Sequence, residues 1–233
     1  MTANAIALPQ SVLEERRFIA EVYRWMTAGL ALTGGIAWYL AQDPGAVAAL
    51  AANPLLFWGL ILAELGAVFA LAGWVRRMSS TTAMAVFLGY AALNGVTLSV
   101  VFLTYTQASI ANAFFITGGT FATMSLWGYT TKSDLTGVGN LCFMGLIGIV
   151  IASVVNIFLR SPKMDLITSY VGVLVFTGLT AYDTQKIKGL LVPQDEGTDE
   201  ETKEAISGAL ALYLDFINLF LDILRIMGSQ RED

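Results

Sequence analysis

The chain contains no histidine, a single cysteine and few charged residues, and each shortage excludes a class of function. Without histidine there is no Ser–His or Cys–His catalysis and no histidine-bound zinc. The lone Cys142 stands in an apolar run, where it cannot form an intramolecular disulfide and is typical of a small buried hydrophobe. Charged residues make up 13% of the chain, against roughly 25% in soluble domains.

Long apolar runs are what the 233-residue chain has in abundance, since 56% of its residues are hydrophobic. A bilayer core needs roughly 20 apolar residues in a helix, and the five prolines all lie between such runs. We therefore predict an all-α integral membrane protein, a bundle of seven continuous transmembrane helices. The predicted spans are Tyr23–Gln42, Leu55–Trp74, Thr82–Tyr105, Ile110–Tyr129, Leu141–Leu159, Leu166–Tyr182 and Ala205–Met227.

The links between the spans are too short for a second globular domain, and they set the predicted topology. We expect a cytoplasmic N-terminal arm at 1–20, a transmembrane domain at 21–228 and a C-terminal tail at 229–233. Lysine and arginine are concentrated on the side of the N-terminus, which places that end in the cytoplasm. The C-terminus lies outside if the last span crosses the membrane, and inside if that span re-enters.

The last link is strongly acidic between Gln194 and Glu204, where it carries Asp195, Glu196, Asp199, Glu200, Glu201 and Glu204. Charge runs of this kind are typical of solvated loops. We favour a solvated acidic loop over a vestibule that attracts cations.

Two aspartates interrupt the last two apolar runs, Asp183 and Asp215. An ionised carboxylate inside a membrane is costly and normally faces a partner or a water-filled path. If the two lie side by side, repulsion and burial favour the sharing of one proton, and the ionised pair suits a hard cation such as Ca²⁺. We therefore expect Asp183 and Asp215 to form a pH-sensing and ion-binding pair, with Ca²⁺ as a candidate metal.

Two further acids, Glu64 and Asp222, are secondary candidates. Glu64 stands among small residues of the second span, and a structural hydrogen bond across a helix contact is as good an interpretation as a functional role. Asp222 precedes Arg225 by three positions, so we expect the two to pair on one helix face. For Asp222 a structural charge is the favoured interpretation.

A basic pair, Arg76 and Arg77, ends the second span on the cytoplasmic side. Asp183 is about one turn from the same side, so Arg76 or Arg77 is a candidate ion-pair partner that would compete with the shared proton. Arg77 is better explained as a simple positive-inside anchor.

Two motifs carry a resemblance to a known family. Thr180-Ala-Tyr-Asp183-Thr-Gln and Leu212-Tyr-Leu-Asp215-Phe-Ile-Asn-Leu-Phe220 resemble the paired signature of the Bax inhibitor family, also called the transmembrane Bax-inhibitor-motif family. The similarity covers nearly the whole chain and indicates a bacterial, inner-membrane member.

The resemblance implies a seven-helix bundle with the last helix in its centre and a pH-sensitive calcium leak as the activity. It also implies that Asp183 and Asp215 sense pH and that Arg76 stabilises the closed form. A second kind of role is implied as well, modulation of a membrane-bound protease by bacterial members and protection against cell death by eukaryotic ones.

Three functions from different classes are thus in question. The favoured one is a proton-gated calcium leak, which requires no cofactor and takes the lipid bilayer, protons and Ca²⁺ as partners, with no role for nucleic acid. The alternative is a regulator that binds a membrane protease or another membrane protein without conducting ions. An intramembrane aspartyl protease is disfavoured because Leu212-Tyr-Leu-Asp215 replaces the Gly-x-Gly-Asp of such enzymes, so we expect no enzymatic activity.

Overall fold

The computed structural model describes residues 10–190 and 198–229, and the regular elements in those two ranges are helices. In chain order they are α1 Gln10–Leu40, α2 Pro44–Ala52, α3 Pro54–Trp74, a 3-10 turn Val75–Arg77, α4 Ser80–Leu98, α5 Val101–Thr104, α6 Gln107–Thr130, α7 Thr136–Leu159, α8 Pro162–Lys188 and α9 Asp199–Met227. The all-helical expectation is confirmed for the described residues.

Most helices begin where a small polar residue caps the first turn. The side chains of Asp43, Asn53, Ser79, Thr106, Ser161 and Thr198 each accept a hydrogen bond from a backbone N–H at the start of the following helix. Such caps satisfy N–H groups that have no partner within the helix. Proline follows the cap in α2, α3 and α8, a position where its missing N–H costs nothing.

Four helical stretches are long and apolar enough to cross a membrane: Pro54–Arg77, Ser80–Thr104, Thr136–Leu159 and Pro162–Lys188. Two of them, α3 and α7, leave most of their large apolar side chains exposed, among them Leu55, Phe69, Met144 and Phe158. Apolar faces of this extent are typical of helices that lie against lipid.

Each of the seven predicted spans falls on long helices of the structure, but several boundaries differ. The third span is not continuous, because α4 ends at Leu98 and α5 begins at Val101. The Ser99 hydroxyl donates to the Val96 carbonyl at 2.6 Å, an alternative to regular helical bonding that disturbs helices. The expectation of continuous helices is therefore wrong at this point, although no proline is involved.

Three segments predicted as links or as an arm are partly helical. Residues 44–52 form α2 within the predicted first link, and α1 begins at Gln10 within the predicted arm. The predicted last link is helical at both ends, since α8 continues to Lys188 and α9 begins at Asp199. The start of α1, the end of α8 and the start of α9 carry charged residues, so the apolar pattern does not extend into these helical segments.

The last two helices organise the packing. α8 lies against α6, α7 and α9, while α9 also contacts α1 and α4. The side chains buried along α9 include Ile206, Leu212, Tyr213, Leu219 and Leu224. α9 therefore buries residues on several of its faces, and Asp215 and Asp222 are among them.

Glycines allow two of these helices to approach closely. A Cβ placed on Gly128 of α6 would collide with the Ala181 carbonyl oxygen of α8, whereas a Cβ on Gly118 of the same helix would meet no atom within 4 Å. Gly145, Gly172 and Gly178 likewise pack against neighbouring side chains, whereas Gly118, Gly119 and Gly148 face open space.

Gly128→Ala is therefore expected to lower the thermal stability of the protein, because backbone atoms of α6 and α8 must move apart to admit the methyl group. We expect a loss of about 1–3 kcal/mol, the usual cost of overpacking. Thermal unfolding of the detergent-purified protein measures the effect, with Gly118→Ala as the matched control on the same helix. Equal melting temperatures for the two variants would contradict this account of the α6–α8 contact.

Candidate functional site

Asp183 of α8 and Asp215 of α9 line the same cavity, as the sequence predicts. The cavity has a volume of about 380 Å³ and lies between α7, α8 and α9. On α8 it is lined by Phe176, Leu179, Tyr182, Asp183 and Lys186, and on α9 by Ala211, Leu214, Asp215 and Asn218. Spacings of three and four residues place each set on one face of its helix, so the two facing stripes bring the acids together.

The two aspartates differ in their contact with solvent. Asp183 is half-buried, whereas Asp215 is only 4% exposed. The Oδ2 atom of Asp215 has no hydrogen-bond partner within the described part of the chain. A buried carboxylate oxygen without a partner is costly, which distinguishes Asp215 from the other buried acids of α9.

Three polar residues of the cavity were not among the predicted site residues, Asn140, Lys186 and Asn218. Lys186 follows Asp183 by three positions on the same face of α8, and its Nζ atom lies 5.9 Å from the centre of the Tyr182 ring. The Asn218 amide donates to the Leu214 carbonyl at 2.8 Å. Lys186 lies four positions beyond Tyr182, where the sixth predicted span ends, and is part of α8.

Arg76, the predicted gating partner, does not line the cavity. Its side chain is 82% exposed, and its Nη2 atom lies 3.4 Å from the Glu204 Oε1 atom near the start of α9. The structure thus places Arg76 beside α9, where its partner is Glu204 and not the predicted Asp183.

The start of α9 is tied to its surroundings by an ion-pair cluster. We call Arg17, Arg76, Asp199, Glu200, Glu201, Lys203 and Glu204 the α9 collar. Both Nη2–carboxylate distances between Arg17 and Glu201 are short, 3.2 and 3.3 Å. Lys203 is buried, and its Nζ atom lies 2.8 Å from the Glu200 Oε1 atom and 3.7 Å from the Asp199 Oδ2 atom.

The collar corrects the expectation of a solvated acidic loop. Four of its acids lie on helix α9, and Glu201 is only 5% exposed; Asp195 and Glu196 lie outside the described residues. Hydrogen bonds from the side chain and backbone of Ser80 lower the pKa of the Asp199 carboxyl. The neighbouring Glu200 carboxylate raises the pKa of the Lys203 ammonium group. These acids therefore act as partners of specific groups, not as a free charge run.

Glu64 occupies a separate position on α3, bound to α4. The Thr97 hydroxyl donates to the Glu64 Oε1 atom at 2.8 Å, and the Asn94 amide donates to the Oε2 atom at 3.4 Å. The expected hydrogen bond across a helix contact is present. Glu64 does not line the cavity of the two aspartates.

Asp222 pairs with Arg225 as predicted, with an Nη1–Oδ1 distance of 3.5 Å. The same Arg225 nitrogen donates to the Ser169 hydroxyl on α8 at 2.8 Å. Asp222 also packs directly against Gly172 of α8. This arrangement fits the structural interpretation of Asp222.

The aspartate cavity is therefore the strongest candidate site. Among the described residues no three side chains of the Asp, Glu, His and Cys types come together as a metal cluster. The cavity instead offers two carboxylates with amide groups from Asn140 and Asn218. Carboxylate and amide oxygens are ligand types that a hard cation takes.

Taken together, the lipid-type surfaces and a carboxylate pair set inside the helices define a multi-pass helical membrane protein with an ionisable interior site. The model of the family described as "Inhibitor of apoptosis-promoting Bax1" matches residues 15–232. The chain belongs to this Bax inhibitor family, which confirms the resemblance carried by the two motifs.

Bacterial relatives support the assignment over the full length. The inner membrane protein YbhL of Escherichia coli K12 is 47% identical over 230 residues, covering 98% of this chain and 97% of its own. A protein of Borreliella burgdorferi is 44% identical over 224 residues, covering 96% and 97%. One of Deinococcus radiodurans is 43% identical over 230 residues, covering 99% and 98%.

Proposed function

We propose that the protein is a pH-sensitive calcium leak of the bacterial inner membrane, controlled by protonation of Asp183 and Asp215. The observation that carries the proposal is the buried Oδ2 atom of Asp215, which has no hydrogen-bond partner among the residues that the structure describes and lies in the cavity that Asp183 also lines. In a membrane interior, such a carboxylate is expected to hold a proton or a cation.

The two protonation states of the pair would have different chemistry. With one shared proton, the carboxyl groups hydrogen-bond to each other and hold α8 and α9 together. With both ionised, they repel one another or bind Ca²⁺ through their oxygens. Solvent exposure falls along the cavity from the exposed Lys186 through the half-buried Asp183 to the buried Asp215. An ion that enters beside Lys186 would therefore meet first the more exposed and then the more buried carboxylate.

The proposed membrane arrangement has all seven long helices crossing the bilayer, with α9 enclosed by the others and the N-terminus in the cytoplasm. The contacts of α9 with α1, α4, α6 and α8 support its enclosed position. Because Lys186 lies near the end of α8 that leads to the cytoplasmic link, the cavity would open toward the cytoplasm.

Calcium uptake into liposomes that hold the purified protein tests the proposal between pH 6 and 8. We expect flux with a clear pH midpoint in the wild type. Asp183→Asn and Asp215→Asn should abolish the pH dependence, because neither variant can share a proton between two carboxylates. Asp222→Asn is the matched control, since Asp222 is paired with Arg225 outside the cavity.

Absence of flux at every pH, from protein that remains folded, would overturn the leak. In that case a regulator of a membrane partner becomes the better hypothesis. Co-purification of the full chain with membrane proteases would then be the next measurement.

A further inference from the structure

A chain of buried polar groups reaches α9 from the side opposite the aspartate cavity. The Tyr213 hydroxyl lies 2.7 Å from the Thr33 Oγ1 atom of α1 and donates to the Asn94 Oδ1 atom of α4 at 3.2 Å. Thr33 in turn donates to the Ala91 carbonyl at 2.7 Å, and the Asn94 amide reaches Glu64. We call Thr33, Glu64, Asn94 and Tyr213 the α9 anchor.

Three of the four anchor residues are well shielded from water, and the fourth, Glu64, is half-buried. Tyr213 is 0%, Thr33 2% and Asn94 8% exposed. The Tyr213 ring packs edge-on against Phe87 and Tyr90, with centroid distances of 6.0 and 5.5 Å. In such surroundings hydrogen bonds are strong and a lost partner is costly, so the anchor fixes α9 against α1 and α4.

Tyr213 and Asp215 are two positions apart on α9. At 100° per residue they point to nearly opposite sides of the helix, Tyr213 toward the anchor and Asp215 toward α8. A rotation or shift of α9 that breaks the anchor therefore moves Asp215 relative to Asp183.

We propose that Tyr213 is a positioning residue of the aspartate pair, which holds Asp215 against Asp183 through its hydrogen bonds to Thr33 and Asn94. The expected effect on calcium flux rests on the proposed leak, whereas the expected effect on the position of Asp215 does not. No part of it requires Tyr213 itself to touch an ion.

Within the described residues, few polar or titratable groups face Asp215 and Tyr213. Asp215 faces Asp183 and Lys186 from α8; from α7, Cys142 lies close enough to interact with its charge and Asn140 lines the same cavity. Tyr213 faces Tyr90 and Asn94 from α4 and Thr33 from α1, with the Glu64 carboxyl of α3 one bond further along. From α6 the side chains that meet α9 include Phe114 and Phe121, both against Phe216.

Tyr213→Phe tests the proposal because it removes one hydroxyl and keeps the ring. Tyr90→Phe is the matched control, since Tyr90 is buried beside Tyr213 but its hydroxyl makes no hydrogen bond among residues 10–190 and 198–229. Thr33→Val removes the anchor from α1 with little change in volume, so it should reproduce the effect of Tyr213→Phe.

Two measurements on the full chain in liposomes separate structure from flux. In a Cys142→Ala background, Ala211→Cys places a thiol in the cavity, and its labelling rate by a charged maleimide reports how readily α8 and α9 separate. We expect Tyr213→Phe to raise this rate roughly three- to tenfold, as the loss of one net hydrogen bond allows. The pH midpoint of calcium flux should move to lower pH, because a loosened α9 lets the ionised pair separate more easily.

The outcomes decide between the two proposals. Faster labelling in Tyr213→Phe and Thr33→Val but not in Tyr90→Phe, without calcium flux in any protein, would support the anchor and overturn the leak. Wild-type labelling and an unchanged midpoint in Tyr213→Phe would overturn the anchor, as would equal effects of Tyr90→Phe and Tyr213→Phe.

Discussion

Asp215→Asn is expected to make the protein more stable. Asp215 is 4% exposed and its Oδ2 atom has no hydrogen-bond partner within the described residues. The substitution keeps the shape of the side chain and removes its charge, so the folded state no longer buries an uncompensated carboxylate. The expected gain is about 1–3 kcal/mol in the free energy of unfolding, which is roughly 2–4 °C in melting temperature for each kcal/mol.

The gain should depend on pH in a defined direction. Where the pair holds a proton, the charge is already absent and the substitution gains little. Where both carboxylates are ionised, the folded state bears the full cost of burial and repulsion. The difference in melting temperature between variant and wild type should therefore be larger at pH 8 than at pH 6.

Asp222→Asn serves as the control with the opposite sign. The Asp222 carboxylate lies 3.5 Å from the Arg225 guanidinium, so its loss removes a favourable pair and gives no gain. Thermal unfolding at the two pH values measures both variants. A wild-type melting temperature for Asp215→Asn at pH 8 would show that Asp215 finds a partner in the folded protein, against the structure.

A stabilising substitution at the proposed site has a functional meaning. Residues that destabilise the fold persist where activity needs them. The ion pair of Asp222 and the hydrogen bonds of Glu64 satisfy their carboxylates, whereas the Asp215 Oδ2 atom has no hydrogen-bond partner in residues 10–190 and 198–229. Of these three acids, Asp215 is therefore the one for which the proposed activity offers the better explanation.

The position of the two aspartates in one cavity could be predicted from the sequence because a carboxylate inside an apolar bundle has few other places to lie. Asp183 and Asp215 follow apolar runs on consecutive helices, and lipid cannot solvate either one. Burial on α9 and the stripe on α8 then bring them into one cavity. The Asp222–Arg225 pair was predictable for a similar reason, since three positions on a helix suffice.

Contacts of the helix ends could not be predicted in the same way. Hydropathy ended the sixth span at Tyr182 and began the seventh at Ala205, so Lys186 and the α9 collar were assigned to links. In the structure both segments are helical and fix these charges in place. The partner of Arg76 depended on how α9 passes the end of α3, which no local pattern records; that partner is Glu204.

The collar and the anchor hold α9 at two levels, at residues 199–204 and at Tyr213, and Asp215 lies two positions beyond Tyr213. The collar joins the first turns of α9 to Arg17 and to the end of the second span. The anchor joins Tyr213 to α1 and α4. A movement of α9 that separates the aspartates must therefore strain or break one of these attachments. The attachments limit how far the helix can move while the two aspartates keep the same protonation state.

Lys186→Gln is expected to move the pH midpoint of calcium flux to higher pH. Lys186 shares the cavity with both aspartates and follows Asp183 by three positions. Its positive charge favours the ionised pair, so without it the pair takes up a proton at higher pH. Because the ammonium group is exposed and screened by water, the expected change is modest, roughly half to one pH unit.

Arg76→Gln is the control that decides which basic residue matters. Arg76 is 82% exposed and paired with Glu204, so its loss should leave the flux midpoint in place. Lys186→Arg should restore the wild-type midpoint, because it returns the charge to the same face of α8. If instead Arg76→Gln moves the midpoint and Lys186→Gln does not, the basic partner of the aspartates is the one that the family resemblance implies, and α9 must shift from its present position to reach it.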